Sequence, residues 1–346
     1  MHFAFTEEQL RFRDSVRGVL ERTCAPAAVR QVWDQEHAHD PGRWRALAEL
    51  GLLGLLVPEG AGGLGLDEIA AILPLEETGR AALPEAVVDT ALIAVPLLAA
   101  VTERALADPW LERIAAGESV VAVGFPPNPW VSHADVADLL LLADGDAIHA
   151  VPRAHVRLER LPHLDGAQRL FRVAWTPADR TRLAAGAQAR RLRAAAIDRG
   201  TLGTAAQLLG VAARLIEEAV RYARQRQQFG RAIGSFQAVK HMLANAQVRL
   251  EFARPVVYRA AYAAAREAAN RGRDASHAKI AAADAAAFAA RTALQVHGAI
   301  GYTWEVDLHM WMKRAWALET AWGTSSWHRA RVAAAVLQSE SREEAS

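Results

Sequence analysis

Between positions 222 and 237 the sequence sets out side chains able to grip a flat, anionic ligand. The segment reads Tyr222-Ala223-Arg224-Gln225-Arg226-Gln227-Gln228-Phe229-Gly230-Arg231-Ala232-Ile233-Gly234-Ser235-Phe236-Gln237. Guanidinium groups can fork onto a pyrophosphate, an aromatic suits a flat ring, and amide side chains can complete the hydrogen bonding. Taken alone, a basic helix–helix turn of this kind is usually a solvated surface. Gly60-Ala61-Gly62-Gly63-Leu64-Gly65 satisfies the dinucleotide pattern G-x-G-x-x-G. It lacks the alternating strand–helix surroundings that would bring a pyrophosphate to a helix N-terminus, so a plain turn is expected there. Glu305 and Glu319 lie near the C-terminal end, as carboxylates that are mostly solvated when they sit on helices. His297, His309 and His328 have no carboxylate placed by spacing and read as packing or surface groups. Trp304, Trp311, Trp316, Trp322 and Trp327 are expected to form one aromatic cluster, at an interface or in a filled cavity. No H-E-x-x-H, G-x-S-x-G or P-loop is present.

The elements that must position these groups are mainly helical. The chain has 346 residues, 52% of them hydrophobic, and a formal charge of +1. That length suffices for two or three domains with a substantial core. The charge balance gives no reason to expect nucleic acid, which needs a clustered basic face. Cys24 is the only cysteine, which excludes an internal disulfide or a multi-cysteine metal site and makes a reducing cytoplasm the default. Met1-His2-Phe3-Ala4-Phe5-Thr6-Glu7-Glu8 does not read as a signal peptide. The most apolar stretch, Ala91 to Val101, is interrupted by Pro96 and falls short of the ~20 apolar residues that a membrane span needs.

Residues 1–118 read as a helical domain. It opens at Thr6 with acidic groups in the first turn, carries a dense apolar run from Leu50 to Leu56, and continues through helices near 67–80, 87–101 and 108–116. Residues 119–186 carry short apolar runs between turn residues and read as a reduced β domain, with strands near 119–123, 139–142, 147–151 and 170–175. Residues 187–346 return to helices and form a C-terminal bundle. Leu208, Val211, Ala212, Leu215, Ile216, Ala219 and Tyr222 share one helix face. A second long helix starts near Phe236, with a kink expected at Pro255, and an alanine-rich third covers 275–296.

At this point the motifs resemble those of a known family. The Arg226–Gln237 segment is similar to the Arg-x-x-Phe-Gly … Phe-Gln signature of the acyl-CoA dehydrogenases. Gln295-Val296-His297-Gly298-Ala299-Ile300-Gly301-Tyr302-Thr303 resembles the family's Gln-x-x-Gly-Gly-x-Gly-Tyr. Trp322-Gly323-Thr324-Ser325 falls where the family has Glu-Gly-Thr-Ser, and Val57-Pro58-Glu59 … Gly62-Gly63-Leu64-Gly65 resembles its first domain. The resemblance implies an N-terminal helical domain, a small β domain and a C-terminal four-helix bundle, assembled as a dimer of dimers. It also implies FAD as cofactor, an acyl-CoA substrate and a separate electron-transfer acceptor. By the same resemblance, Arg226, Gln228, Phe229, Ile233, Phe236 and Gln237 would be donated to a neighbour's flavin, while Gln295, Gly298 and Ala299 would line the adenosine end.

The resemblance also shows what is missing. Acyl-CoA dehydrogenation removes an α proton with a carboxylate as the β hydride passes to flavin. The usual base position holds Trp322, whose indole nitrogen only donates. Some members carry the base on the long helix after Phe-Gln, and counting along it arrives at Arg266, which stays protonated. Glu267 is one residue on, turned by about 100° of helix. The segment Gly124-Phe125-Pro126-Pro127-Asn128-Pro129-Trp130 replaces the family's flavin-contacting loop, and the strand pair that follows it reads as deleted. The expectation is a chain with no catalytic residue of its own. It would be one subunit of an α2β2 enzyme whose partner bears the glutamate, in a branch whose substrates are often bulky CoA thioesters such as steroid side-chain fragments. A homomeric enzyme with Glu319 or Glu267 as a displaced base, and a non-catalytic scaffold of the same fold, stand as alternatives.

Overall fold

The computed structural model describes residues 4–128 and 130–343. Met1-His2-Phe3 and Pro129, which enter the sequence reading, lie outside the described residues. The first helix, α1 (Glu7–Thr23), begins where the sequence signals it: the Thr6 hydroxyl accepts from the Gln9 backbone, and the Gln9 side chain accepts from the Thr6 N–H. This reciprocal pairing satisfies two of the donors that a helix start leaves open. Next come α2 (Pro26–Asp34), α3 (Pro41–Glu49), α4 (Glu68–Arg80), α5 (Val95–Ala100) and α6 (Arg104–Ala115). The run Leu50–Leu56 is a series of largely buried turns rather than a helix, and the glycine-rich segment after it is a solvent-facing turn. Pro96 does not break the apolar stretch. It sits in the first turn of α5, where its missing N–H costs little, directly after a π-helical segment, Val88–Ala94.

The strand-rich region holds two small sheets. In one, β1 (Val121–Gly124) runs parallel to β3 (Leu139–Asp144), which pairs antiparallel with β4 (Ala147–Pro152), itself paired with β7 (Arg182–Ala185). In the other, β2 (Val131–Ser132) and β5 (Arg157–Leu161) flank β6 (Leu170–Ala174). The apolar runs mark β1, β3, β4 and β6. β5 is an addition that hydropathy does not reveal, because its sequence, Arg-Leu-Glu-Arg-Leu, keeps its charged residues in water. The loop between β5 and β6 ties this region to the helices. Asp165 pairs with the buried Arg314, whose Nη1 also donates to the Leu83 carbonyl at 2.7 Å. Arg169 donates to the Val32 and Gln35 carbonyls at 2.9 and 2.8 Å, closing the end of α2.

The last third is helical: α7 (Gly186–Gln225), a hairpin of β8 (Gln227–Gln228) and β9 (Arg231–Ala232), α8 (Gln237–Ala265), α9 (Arg271–His297), α10 (Leu308–Thr320) and α11 (Ser325–Glu343). The predicted face of α7 is buried from Leu208 to Ala219. α4 crosses α7 at Gly79 and Gly210, where a Cβ on either glycine would collide with the other helix's backbone. α8 is continuous through Pro255. α9 begins four residues before the expected start and turns its alanines into the packing between α7 and α8. No helix among the described residues is long and apolar enough to cross a membrane.

Candidate functional site

Two places in the fold carry the chemistry suggested by the motifs. The first is the edge formed by the end of α7, the β8–β9 hairpin and the end of α9. β8 and β9 are joined by only two residues, Phe229 and Gly230, both with positive φ (51° and 77°). A two-residue hairpin with this backbone matches the strand twist, and it projects the Phe229 side chain outward, 91% exposed. Behind the turn lies a cleft of about 470 Å³, walled by Tyr222, Arg226, Gln228, Ile233, Val296, His297, Ala299 and Ile300. Four of the expected ligand residues, Arg226, Gln228, Ile233 and Ala299, therefore share one cavity. Phe229, Phe236, Gln237, Gln295 and Gly298 lie outside its walls. Phe236 meets Phe229 edge to face and takes the Arg231 guanidinium at 4.1 Å over its ring. Nearby, Arg214 and Arg221 both bind Glu218. No carboxylate among the described residues pairs with Arg226 or Arg231, so the cleft keeps uncompensated positive charge.

The second place is the loop between α10 and α11. Trp322 has φ 57°, a left-handed backbone that costs a residue with a side chain roughly 1–2 kcal/mol. Several contacts offset this. Its N–H donates to Asn128 Oδ1 at 2.7 Å, and its carbonyl accepts from His328 Nε2 at 3.0 Å. Lys279 donates to the carbonyls on either side, those of Ala321 and Gly323. The indole is 4% exposed and presses on Gly200 in α7, where any Cβ would run into the ring. It also donates to the carboxyl of Asp89, which lies in the π-helical segment and takes the Val123 N–H at 3.4 Å.

Burial raises Asp89 to about 7 despite those two hydrogen bonds. Burial likewise lowers the Lys279 ammonium to about 7, with Glu319 opposing. His328 is lowered to about 3, by burial and then by Lys279. Against the loop's outer side lies a cleft of about 450 Å³, bounded by Pro127, Asn128, Trp130, Leu170, Thr324 and Trp327.

Other sequence expectations need correction. Arg266 does not lie against Trp322. It is the C-cap of α8, exposed, with its guanidinium over the Tyr262 ring. The helix facing the indole is α7, and the residue there is Gly200. Glu267 is exposed beside a smaller cavity that Arg191, Arg199 and Arg271 also line. Glu319 accepts from the Ser325 N–H and so braces the start of α11, while Glu305 is exposed. The five tryptophans do not form one cluster. Trp311 and Trp322 are buried apart, Trp316 and Trp327 are partly exposed, and Trp304 packs with Trp33, His309 and Lys313. Asp89, Lys279 and Gly200 carry no motif; a charged residue inside an apolar run was the only signal available for Asp89.

Comparison with known proteins agrees with the motif reading. Residues 6–118 match the description "Acyl-CoA dehydrogenase, N-terminal domain", and residues 190–337 match "Acyl-CoA dehydrogenase, C-terminal domain". The chain is 34% identical over 315 residues to acyl-CoA dehydrogenase IpdE2 of Mycobacterium tuberculosis, covering 89% of this chain and 91% of that protein. Butyryl-CoA dehydrogenase of Megasphaera elsdenii shares the fold with a TM-score of 0.88 at 22% identity, covering 97% of this chain and 100% of that one. A chain of the ChsE4-ChsE5 complex of Mycobacterium tuberculosis superposes with a TM-score of 0.85 at 23% identity, covering 97% and 99%. With both terminal domains matched in order, this chain belongs to the acyl-CoA dehydrogenase family of FAD-dependent oxidoreductases.

Proposed function

We propose that this chain is the subunit of a heteromeric, FAD-dependent acyl-CoA dehydrogenase that donates the far end of the flavin site and carries no catalytic base. One observation supports this above the rest: the position expected for the carboxylate holds an indole that is buried, fixed by contacts from several elements and able only to donate. An α proton cannot be transferred to it. The enclosed groups around it are committed too, since Asp89 faces the indole and Lys279 holds two carbonyls.

The edge cleft fits the diphosphate and adenosine of FAD. Arg226 offers charge with no ion-pair partner among the described residues, Gln228 an amide, and Ile233, Val296 and Ile300 apolar walls for a flat base. FAD supplies the hydride-accepting chemistry when bound. This chain would supply charge neutralisation and orientation, and a partner subunit the glutamate and the contacts to the flavin ring. The named relatives support a two-protein assembly acting on a bulky acyl-CoA: one fold neighbour comes from the ChsE4-ChsE5 complex, and another is described as the Tcur3481-Tcur3483 steroid ACAD. A CoA thioester of a steroid side-chain fragment is the substrate class proposed, with electrons passing on to a separate acceptor.

A displaced base gains little support from the geometry, because Glu319 is engaged with α11 and Glu267 sits beside arginines at the surface. The test is expression alone and with a candidate partner. Alone, the chain should be colourless and should not reduce a dye with acyl-CoA; the complex should be yellow and active. Turnover by the isolated chain, or stoichiometric FAD on it, would remove the proposed division of labour.

A further inference from the structure

We infer that His297 reads the adenine of the bound dinucleotide by accepting a hydrogen bond from its exocyclic amine; this rests on the reading of the edge cleft as the adenosine end of a flavin site. His297 is the last residue of α9, and its ring lies nearly parallel to Tyr222, with centroids 4.3 Å apart and planes at 22°. Nδ1 is 2.8 Å from the Ala293 carbonyl. A carbonyl only accepts, so Nδ1 must carry the hydrogen, and in the neutral ring Nε2 is left with a lone pair. Burial favours that neutral ring, lowering His297 below its ordinary value even though the Ala293 bond pulls the other way.

Nε2 has no protein partner among the described residues, yet it is not one of the enclosed polar atoms that lack one, so its edge remains open to solvent. The ring is itself part of the cleft wall, with Arg226, Val296, Ala299 and Ile300, and it also borders a neighbouring cavity that Arg221, Gln225 and Trp311 line. A pure packing role would not require an accessible polar edge. The arrangement presents an acceptor, held in one tautomer and one orientation, to a flat base lying between apolar walls. Adenine offers an amine hydrogen to such an acceptor. Hypoxanthine, with a carbonyl at the same position, opposes acceptor to acceptor.

The test uses the co-expressed complex, stripped of flavin and titrated with FAD or with flavin hypoxanthine dinucleotide, binding being read from flavin fluorescence. FAD should bind roughly tenfold more tightly, the worth of one hydrogen bond against an unpaired acceptor. In His297→Phe, which keeps a ring against Tyr222, that preference should vanish while both dinucleotides still bind. Equal affinities in the unaltered complex would overturn the inference without any variant having to fold. Arg226→Ala separates the two levels. If it leaves flavin binding intact, the edge is not a flavin site at all. If it weakens both dinucleotides while the unaltered complex fails to discriminate, only the role of His297 is lost.

Discussion

Phe229 and Trp322 are both aromatic residues with a left-handed backbone, each followed by a glycine with positive φ. Their surroundings are opposite. Trp322 is 4% exposed and its polar atoms are matched by Asn128, His328 and Asp89; Phe229 is 91% exposed, at the tip of a hairpin. Strain of this kind persists only where something over-determines it. At Trp322 the chain supplies that from within, through contacts from its N-terminal helices, the strand region and the C-terminal helices. At Phe229 only the two-residue turn holds the backbone, and the side chain has little of its own chain to meet. One site is closed by the protein that contains it, and the other stands exposed at an edge. A subunit that has given up a pocket while lending an edge to a neighbour would show this contrast.

The largest effect is expected at the closed site. Trp322→Ala removes a large buried ring and should cost about 3–5 kcal/mol, because the surroundings close only partly around such a cavity. A thermal melt should show a large fall in midpoint. A change of a degree or less would mean that the indole does not hold together the elements that meet around it.

The next effect should come from Asp89, and its sign is set by burial. The folded carboxyl sits near 7 and the unfolded one near 3.8. The folded state therefore holds its proton more tightly, and this contribution is full below about pH 3.8 and lost as pH rises through about 7. The shift corresponds to as much as ~4 kcal/mol. Asp89→Asn keeps an acceptor for the indole and never ionises. Its stability advantage over the parent should grow between pH 5 and pH 8 in denaturant titrations, and parallel pH profiles would show that Asp89 ionises without penalty.

Legibility in the sequence follows the same division. The open edge was legible because its residues are contiguous: Arg226, Gln228, Phe229 and Ile233 announce their chemistry within one short segment, and a second short segment completes the cleft. The closed site was half legible. That an indole cannot take a proton is clear from residue type alone, but its neighbours come from positions 89, 128, 200, 279 and 328, and no spacing rule joins them. Counting along α8 led to Arg266, because a periodicity gives the face of a helix and not which helix a distant loop will meet. In the strand region, apolar runs mark the buried strands, whereas Arg157–Leu161 has no such signal because its partner strand, rather than its hydropathy, makes it a strand.

A smaller effect belongs to Arg226. Replacing it with Ala should leave the melting temperature of the isolated chain nearly unchanged, since the guanidinium has no ion-pair partner among the described residues to lose. In the complex, FAD should dissociate about tenfold more readily, consistent with the loss of a charge-assisted contact to phosphate. Retention measured after gel filtration would check this, and unchanged retention would leave the open edge without a ligand.

The smallest expected effect on stability comes from Phe229→Asn, and its sign matters most to the comparison. A two-residue hairpin with both central residues at positive φ favours Asn-Gly, so the substitution eases the backbone and removes an exposed ring with few contacts. The isolated chain should melt at the same temperature or slightly higher, within about 0.5 kcal/mol of the parent. The complex should nonetheless hold flavin less well, because the aromatic surface offered to the neighbour is gone. Stability gained where assembly or flavin retention is lost would show that the ring at this tip serves a contact outside its own chain, as the ring at Trp322 serves one inside it. If Phe229→Asn instead lowers the melting temperature of the isolated chain as Trp322→Ala does, the two left-handed aromatics have the same structural role and the contrast between lent edge and sealed pocket fails.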